Sequence, residues 1–314
     1  MNASEASAGG ASELRVAQGA TWPRRRWPPE KVVALAVAVA PALWLAWLDA
    51  SGELGVRAVH QAVRISGDWA LRILWLALLI SPARRIFGAP RLVRARRILG
   101  VGAFGLTVLH FGLYALDQQF DWGEIGSEIV LRLYLAVGTV AMVALAALAA
   151  TSNDRVVRRL GSARWNWLHG LVYAIAALAA VHFLLRSRTN TLEPMLMLGL
   201  LAWLVGYRLI RRLAGDVSAC GLVALAVAAA ALTAVAEMSW YAAATGVDPW
   251  RVLAAHLDAS YEVRPAWCVL LAGLVAALVG AQWRLLPRAS KGPVLCLPVF
   301  GRGKPSASQA GPSV

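Results

Sequence analysis

The sequence predicts an all-α integral membrane protein of about eight transmembrane helices, and three observations lead to this fold class. Hydrophobic residues make up 59% of the chain and charged residues only 15%, a balance outside the usual range of soluble proteins. The apolar residues gather into runs that approach the roughly 20 residues a helix needs to cross about 30 Å of hydrocarbon. Basic residues stand in short blocks between these runs, as is typical of cytoplasmic loops.

Eight apolar runs are candidates for membrane crossings. They are residues 32–49, 67–81, 97–116, 129–150, 165–185, 193–207, 217–241 and 265–285. The second and sixth runs are short, and the second contains Arg72.

The charges of the connecting loops predict how the helices are oriented. Arginines cluster between the second and third runs, between the fourth and fifth, and after the sixth, whereas the loops after the third and seventh runs carry acidic residues. Because basic loops stay in the cytoplasm, we expect an even number of crossings with both termini cytoplasmic. The net charge of +14 is then explained by the loops, so the lipid bilayer is the expected partner and no nucleic acid is.

Composition divides the chain into four parts. Residues 1–31 and 287–314 are rich in small and polar residues, and we expect both to be disordered cytoplasmic tails. Residues 32–212 hold six apolar runs, and residues 213–286 hold two more. No stretch outside the membrane is long enough for a second folded domain, so any nicotinamide- or flavin-binding module of the usual size is expected on another protein. No internal repeat at a fixed spacing is apparent.

Three of the five histidines lie in apolar runs, namely His110, His169 and His182. Within a bilayer an imidazole has no water to bond, so it faces a partner, a cavity or a metal. One such histidine is readily explained as a donor to a backbone carbonyl. Three on two helices favour an iron porphyrin, which needs two axial imidazoles at the same depth. His60 and His256 lie in outward loops, where we expect them to be solvated.

Glycines on the histidine-bearing helices fit a flat macrocycle, because small residues let it approach the backbone. They equally allow two helices to pack closely. The glycines concerned are Gly100, Gly102, Gly105, Gly112 and Gly170.

Depth in the membrane indicates which histidines form a pair. At about 1.5 Å per residue, counted from Arg97 and Arg164, His110 lies about 20 Å in, His182 about 27 Å and His169 about 8 Å. We therefore expect His110 and His182 to be one axial pair. In a straight helix His169 and His182 are about 140° out of phase, so either the fifth run bends or His169 serves a different group.

Arg96 lies at the cytoplasmic end of the third run, 14 residues before His110 and near the same helix face. A guanidinium there is placed to pair with a porphyrin propionate at the level of His169. The alternative is an arginine that only anchors the helix at the cytoplasmic surface.

Two segments carry a family resemblance, LISPARRIFGAPRLVRARRILGVGAFGLTVLHFGLYAL and RRLGSARWNWLHGLVYAIAALAAVHFLLR. Their motifs are Arg-Arg-x-Leu-Gly, Leu-His and Leu-His-x-x-x-Tyr-(x)8-His. The region from about Trp44 to Arg212 resembles the MsrQ family, formerly YedZ, which is the haem-binding membrane subunit of the bacterial periplasmic methionine sulfoxide reductase system. This family belongs to the ferric-reductase-like transmembrane group.

The resemblance implies that His110, His169 and His182 are ligands of one or two b-type haems, and that Arg96 is the family's loop arginine. It implies an inner-membrane electron carrier with no catalytic residues of its own. Electrons would come from the quinone pool, or through FMN from a cytosolic flavin reductase. They would pass to an MsrP-like periplasmic molybdoenzyme, which reduces methionine sulfoxide.

The chain departs from the pattern of related groups in two places. NADPH-oxidase-type members carry two histidines on each helix, and Arg96 stands where the fourth would be. The last two apolar runs exceed the six-helix core of the family. Two alternatives stay open, a ferric or other quinol-linked reductase with a different acceptor and a haem-free transporter or assembly factor.

Overall fold

The computed structural model describes residues 27–187, 190–258 and 262–285, and in this part of the chain every regular element is helical. The predicted all-α class is therefore confirmed. The two predicted tails lie outside the described residues, except that Pro29 already begins the first helix. In chain order the helices are α1 (Pro29–Ala50), α2 (Ala58–Ile86), α3 (Val93–Asp117), α4 (Trp122–Leu131), α5 (Leu133–Ala150), α6 (Asp154–Leu160), α7 (Ser162–Gly170), α8 (Val172–Arg186), α9 (Leu192–Ala214), α10 (Ala219–Thr245), α11 (Pro249–Ala254) and α12 (Pro265–Leu285), with a 3-10 turn at Pro90–Leu92.

Seven helical segments of the described chain are long and apolar enough to cross a membrane, which makes this a multi-pass membrane protein. They are Pro29–Ala50, Pro90–Asp117, Leu133–Ala150, Ser162–Arg186, Leu192–Ala214, Ala219–Thr245 and Pro265–Trp283. Each contains most or all of one predicted run. The remaining run, 67–81, lies within α2, which is not among the seven, so the eighth crossing stays a prediction.

Two charged residues of α2 are paired with neighbouring helices. Arg72 donates to both carboxylate oxygens of Glu193 at the start of α9, at 2.7 and 2.8 Å. Asp68 accepts from Arg186 at the end of α8, at 3.2 Å. Charged side chains at membrane depth typically pair with one another. The pairing of Asp68 and Arg72 therefore lets this part of α2 lie in the membrane among the other helices.

The histidine-bearing helices α3 and α8 lie within the packed core. Helix α3 packs along both α2 and α1, and α8 packs along α5, while α3 also meets α5. The contact between α3 and α1 is close at Gly102, where an added Cβ would lie 2.6 Å from the Cβ of Ala38. Gly102 therefore serves helix packing, which is the alternative left open for the glycines of this helix.

The fifth predicted run is interrupted at a single residue. Helix α7 ends at Gly170 and α8 begins at Val172. At the junction the amide of Leu171 donates to the carbonyl of Leu168 at 3.0 Å, which is a 3-10-type bond rather than an α-helical one. This interruption separates the segment carrying His169 from the segment carrying His182.

The last two long helices form a pair that packs on the core. Helices α10 and α12 pack along each other and both contact α9, and α12 also touches α2. Close approach depends on Gly199, whose added Cβ would collide with Thr233 Oγ1, and on Gly273, whose Cβ would lie 2.5 Å from the Cβ of Ala226. Helix α9 runs unbroken to Ala214, so the proposed division at residue 212 marks no break in the backbone.

Candidate metal centre

The structure brings His110 of α3 and His182 of α8 together. Their ring centroids are 6.4 Å apart and the ring planes cross at 79°. Both rings are half-buried. This is the pair that the depth estimate selects from the sequence.

Each of these imidazoles is held by a backbone carbonyl of a neighbouring helix. Nδ1 of His110 lies 2.8 Å from the carbonyl oxygen of Val63 on α2, and Nδ1 of His182 lies 2.7 Å from that of Tyr134 on α5. A carbonyl oxygen can only accept, so in both rings Nδ1 carries the proton. In the neutral imidazole Nε2 is then the basic nitrogen.

Both Nε2 atoms are free to act as ligands, because no residue of the described chain forms a hydrogen bond with either. Metal-ligating histidines usually donate their other ring N–H to a carbonyl or carboxylate, which fixes the tautomer. Where both Nε2 atoms point at one metal, with about 2.0–2.1 Å for each metal–nitrogen bond and about 1.1 Å from each nitrogen to its ring centre, the two centroids lie about 6.3 Å apart. The observed centroid distance of 6.4 Å is compatible with this arrangement.

Two glycines lie directly against the rings. A Cβ added at Gly67 of α2 would lie 2.9 Å from Nδ1 and Cε1 of His110, and one added at Gly138 of α5 would lie 2.6 Å from Nδ1 of His182. Of the glycines singled out from the sequence, four face open space and Gly102 contacts α1; the four are Gly100, Gly105, Gly112 and Gly170. Gly67 and Gly138 were not predicted, because nothing local distinguishes them from other helical glycines.

His169 lies apart from this pair. Its ring stacks on Trp165 with a centroid distance of 3.9 Å, and its Nε2 is 3.3 Å from the hydroxyl of Thr151. His182 lies 13 residues further along α7 and α8, about 20 Å away at the usual helical rise. The two histidines of this run therefore lie in different surroundings.

Arg96 lies close enough to His169 for its charge to act on that histidine. The charges of Arg84 and Arg208 also reach Arg96, and the guanidinium of Arg208 lies 4.9 Å from the ring centroid of Tyr173. Arg96 has no carboxylate partner within the described ranges. Three guanidinium groups without an acid favour an anionic ligand at this end of the bundle.

The remaining histidines lie outside this centre. His60 lies on α2 and not in a loop as predicted, but it is exposed and lies 3.6 Å from Asp117, which agrees with a solvated position. The prediction that His256 is solvated is wrong, because its side chain is only 8% exposed and pairs with Glu237 of α10. The loop after α11 lies against the start of α12, where Nε1–H of Trp267 donates to the carbonyl of His256 at 2.7 Å. No pattern in the sequence predicts this contact.

Comparison with known proteins identifies close relatives. The family described as ferric reductase like transmembrane component matches residues 66–180. The protein-methionine-sulfoxide reductase heme-binding subunit MsrQ of Agrobacterium fabrum is 39% identical over 189 residues, which cover 60% of this chain and 87% of the relative. The corresponding subunit of Rhodospirillum rubrum is 41% identical over 180 residues, covering 56% and 86%. No solved structure matches the chain.

Proposed function

This chain belongs to the MsrQ family of heme-binding subunits of protein-methionine-sulfoxide reductases, and we propose that it is a b-type haem electron carrier of the bacterial inner membrane. The observation that supports this most directly is the facing pair of His110 and His182, with both Nε2 atoms free. Among the described residues no group of three or more His, Cys, Asp or Glu side chains could hold a metal ion. Two imidazoles alone suit an iron whose other four ligands come from a porphyrin.

The chain's own residues would hold and tune the haem. His110 and His182 are the proposed axial ligands, and the carbonyls of Val63 and Tyr134 keep their Nδ1 atoms protonated. These bonds make the ligands more basic and stabilise the oxidised metal. When bound, the haem supplies a one-electron redox centre. No proton transfer by a side chain is needed for this role.

We assign one haem to this pair and a different role to the cytoplasmic end. His169 has no second imidazole beside it in the part of the chain that the structure describes. Arg96, with Arg84 and Arg208 near it, is suited to an anion such as a haem propionate or the phosphate of FMN. His169 would then border that anion or a second haem.

The proposed electron donor and acceptor are those that the family resemblance implies. We propose that electrons enter from the quinone pool, or from a cytosolic flavin reductase through FMN, and leave to an MsrP-like periplasmic molybdoenzyme. The names of the relatives make them subunits of a methionine sulfoxide reductase, which supports such a partner. A second candidate, a quinol-linked or ferric reductase with another acceptor, is supported by the ferric-reductase-like match.

Haem content tests the assignment directly. The purified protein should show a dithionite-reduced b-type spectrum with about one haem per chain. His110→Ala and His182→Ala should each abolish most of this absorbance, because a single axial imidazole holds the iron far less firmly. The matched control is His60→Ala, which removes an exposed imidazole and should leave haem content unchanged.

A colourless wild-type protein would support the haem-free transporter and refute the proposal. Full haem content in both histidine variants would show that the ligands lie elsewhere. Reduction of the haem by a quinol, followed by reoxidation with an added molybdoenzyme but not with ferric chelates, would separate the two candidate acceptors.

A further inference from the structure

The two axial histidines are held by the same arrangement on two different helices. On α2 the carbonyl of Val63 accepts from His110, and Gly67, four residues later, lies against the same ring. On α5 the carbonyl of Tyr134 accepts from His182, and Gly138, again four residues later, lies against that ring. Each histidine thus meets a carbonyl and a glycine one helical turn apart.

A glycine at this position has a specific physical effect. In an α-helix the carbonyl of residue i already accepts from the amide of residue i+4, so the side chain of residue i+4 lies beside that oxygen. Without a Cβ at i+4, a ring from another helix can lie flat on the backbone and reach the carbonyl. A Cβ at Gly67 or Gly138 would come within 2.9 or 2.6 Å of the nitrogen that makes this bond.

The arrangement recurs along the chain at nearly equal spacing. The carbonyl precedes its histidine by 47 residues in the first case and by 48 in the second. In each case the carbonyl and the glycine lie near the start of one helix. The histidine lies on the next long helix along the chain, which is α3 after α2 and α8 after α5. The units differ at the position before the glycine, where Ser66 lies 3.5 Å from Nδ1 of His110 and Val137 takes its place in the second unit.

We propose that Gly67 and Gly138 are positioning residues for the axial histidines, and that the metal centre is an internal two-fold repeat of one carbonyl, glycine and histidine unit. The proposal rests on the proposed function in one respect, namely that a haem iron lies between the two rings. Each ring is held against a different helix, α2 or α5. The two ring planes cross at 79° instead of stacking parallel.

Crossed rings have a spectroscopic consequence that tests the wild-type protein itself. Oxidised low-spin haem with crossed axial imidazoles gives a strongly anisotropic EPR signal with one large g value, whereas parallel imidazoles give an ordinary rhombic signal. We expect the strongly anisotropic signal. A rhombic signal from the haem-loaded wild type would overturn the proposal while leaving the haem assignment intact.

Substitution of the glycines tests their role. Gly67→Ala and Gly138→Ala should each move the large g value and raise the haem midpoint potential, because a displaced ring loses its Nδ1 bond and becomes a weaker donor to the iron. The control is Gly126→Ala on α4, an exposed helical glycine whose added Cβ meets open space. This control should retain the wild-type spectrum and potential.

Helix propensity cannot account for the expected changes in g value and midpoint potential, because Gly→Ala normally stabilises a helix. Monodisperse elution in detergent separates a displaced ligand from a misfolded chain. If the Gly67 and Gly138 variants keep the wild-type g values and potential, the glycines do not position the ligands. If the wild type carries no haem at all, the proposed function fails first.

Discussion

At the scale of single residues, three histidines make the same hydrogen bond through Nδ1 but differ in what their Nε2 atoms contact. His110, His182 and His256 all direct Nδ1 at a backbone carbonyl, which leaves Nε2 as the basic nitrogen. For the first two, Nε2 is free to bind a metal. For His256 it lies 3.3 Å from Oε2 of Glu237, which is 1% exposed.

Two acceptors at that distance need a proton between them. Either the imidazole carries a second proton or the carboxyl of Glu237 is neutral, while Oε1 of Glu237 accepts from Arg264 at 3.3 Å. Burial without such a proton would leave two unpaired polar atoms in the interior. Glu237 therefore ties α10 to the segment after α11 and to the residue before α12.

Substitution of Glu237 distinguishes a shared proton from simple packing. Glu237→Ala should lower stability by about 3–5 kcal/mol, because it leaves His256 and Arg264 without their partner. Glu237→Gln should stay close to the wild type, since an amide N–H can donate to Nε2 without an additional proton. Thermal unfolding of the purified protein in detergent measures both variants.

The control is Glu53→Ala, which removes an exposed carboxylate and should change stability by no more than about 0.5 kcal/mol. Equal losses in the Ala and Gln variants would show that the negative charge of Glu237 is required, with no shared proton involved.

At the scale of elements, small residues decide which helices approach each other. Gly273 brings α12 to within van der Waals contact of Ala226 on α10 and of the indole of Trp203 on α9. Transmembrane helices gain little from hydrophobic burial against lipid, so close packing between them supplies much of the association energy. The pair α10 and α12 is therefore an integral part of the bundle, although it lies outside the residues that the family model matches.

Gly273→Ala tests this packing. The added Cβ would lie 2.5 Å from the Cβ and 3.1 Å from the Cα of Ala226, so the helices must separate. We expect a loss of stability of about 1–3 kcal/mol, typical of overpacking, measured by thermal unfolding. Haem content should be unchanged, because the histidines lie on α3 and α8.

Gly100→Ala is the matched control, since its Cβ would meet open space. A Gly273 variant as stable as this control would mean that α10 and α12 are not held together at this point.

At the scale of the whole molecule, orientation depends on whether α2 crosses the membrane. Asp68 and Arg72 of this helix are paired with α8 and α9, and the basic loop that follows it is expected in the cytoplasm. If α2 crosses, the loops on its two sides lie on opposite faces of the bilayer.

Cysteine labelling tests this arrangement. In a background with the native cysteines replaced, Glu53→Cys should react with an impermeant maleimide from the outside of intact cells or spheroplasts. Arg91→Cys should react only after the membrane is opened. Labelling of both positions from the same side would show that α2 does not cross.

The sequence by itself determined the all-helical membrane class, the helix positions and the choice of His110 with His182. These depend on hydropathy, charge and helical rise, which are properties of each segment taken alone. Only the tertiary structure decided that Gly67 and Gly138 hold the rings, that His256 is buried against Glu237, and that His169 faces Thr151. These contacts depend on which faces of distant helices meet. The packing of the whole bundle decides this, so a local pattern of residues does not predict the contacts.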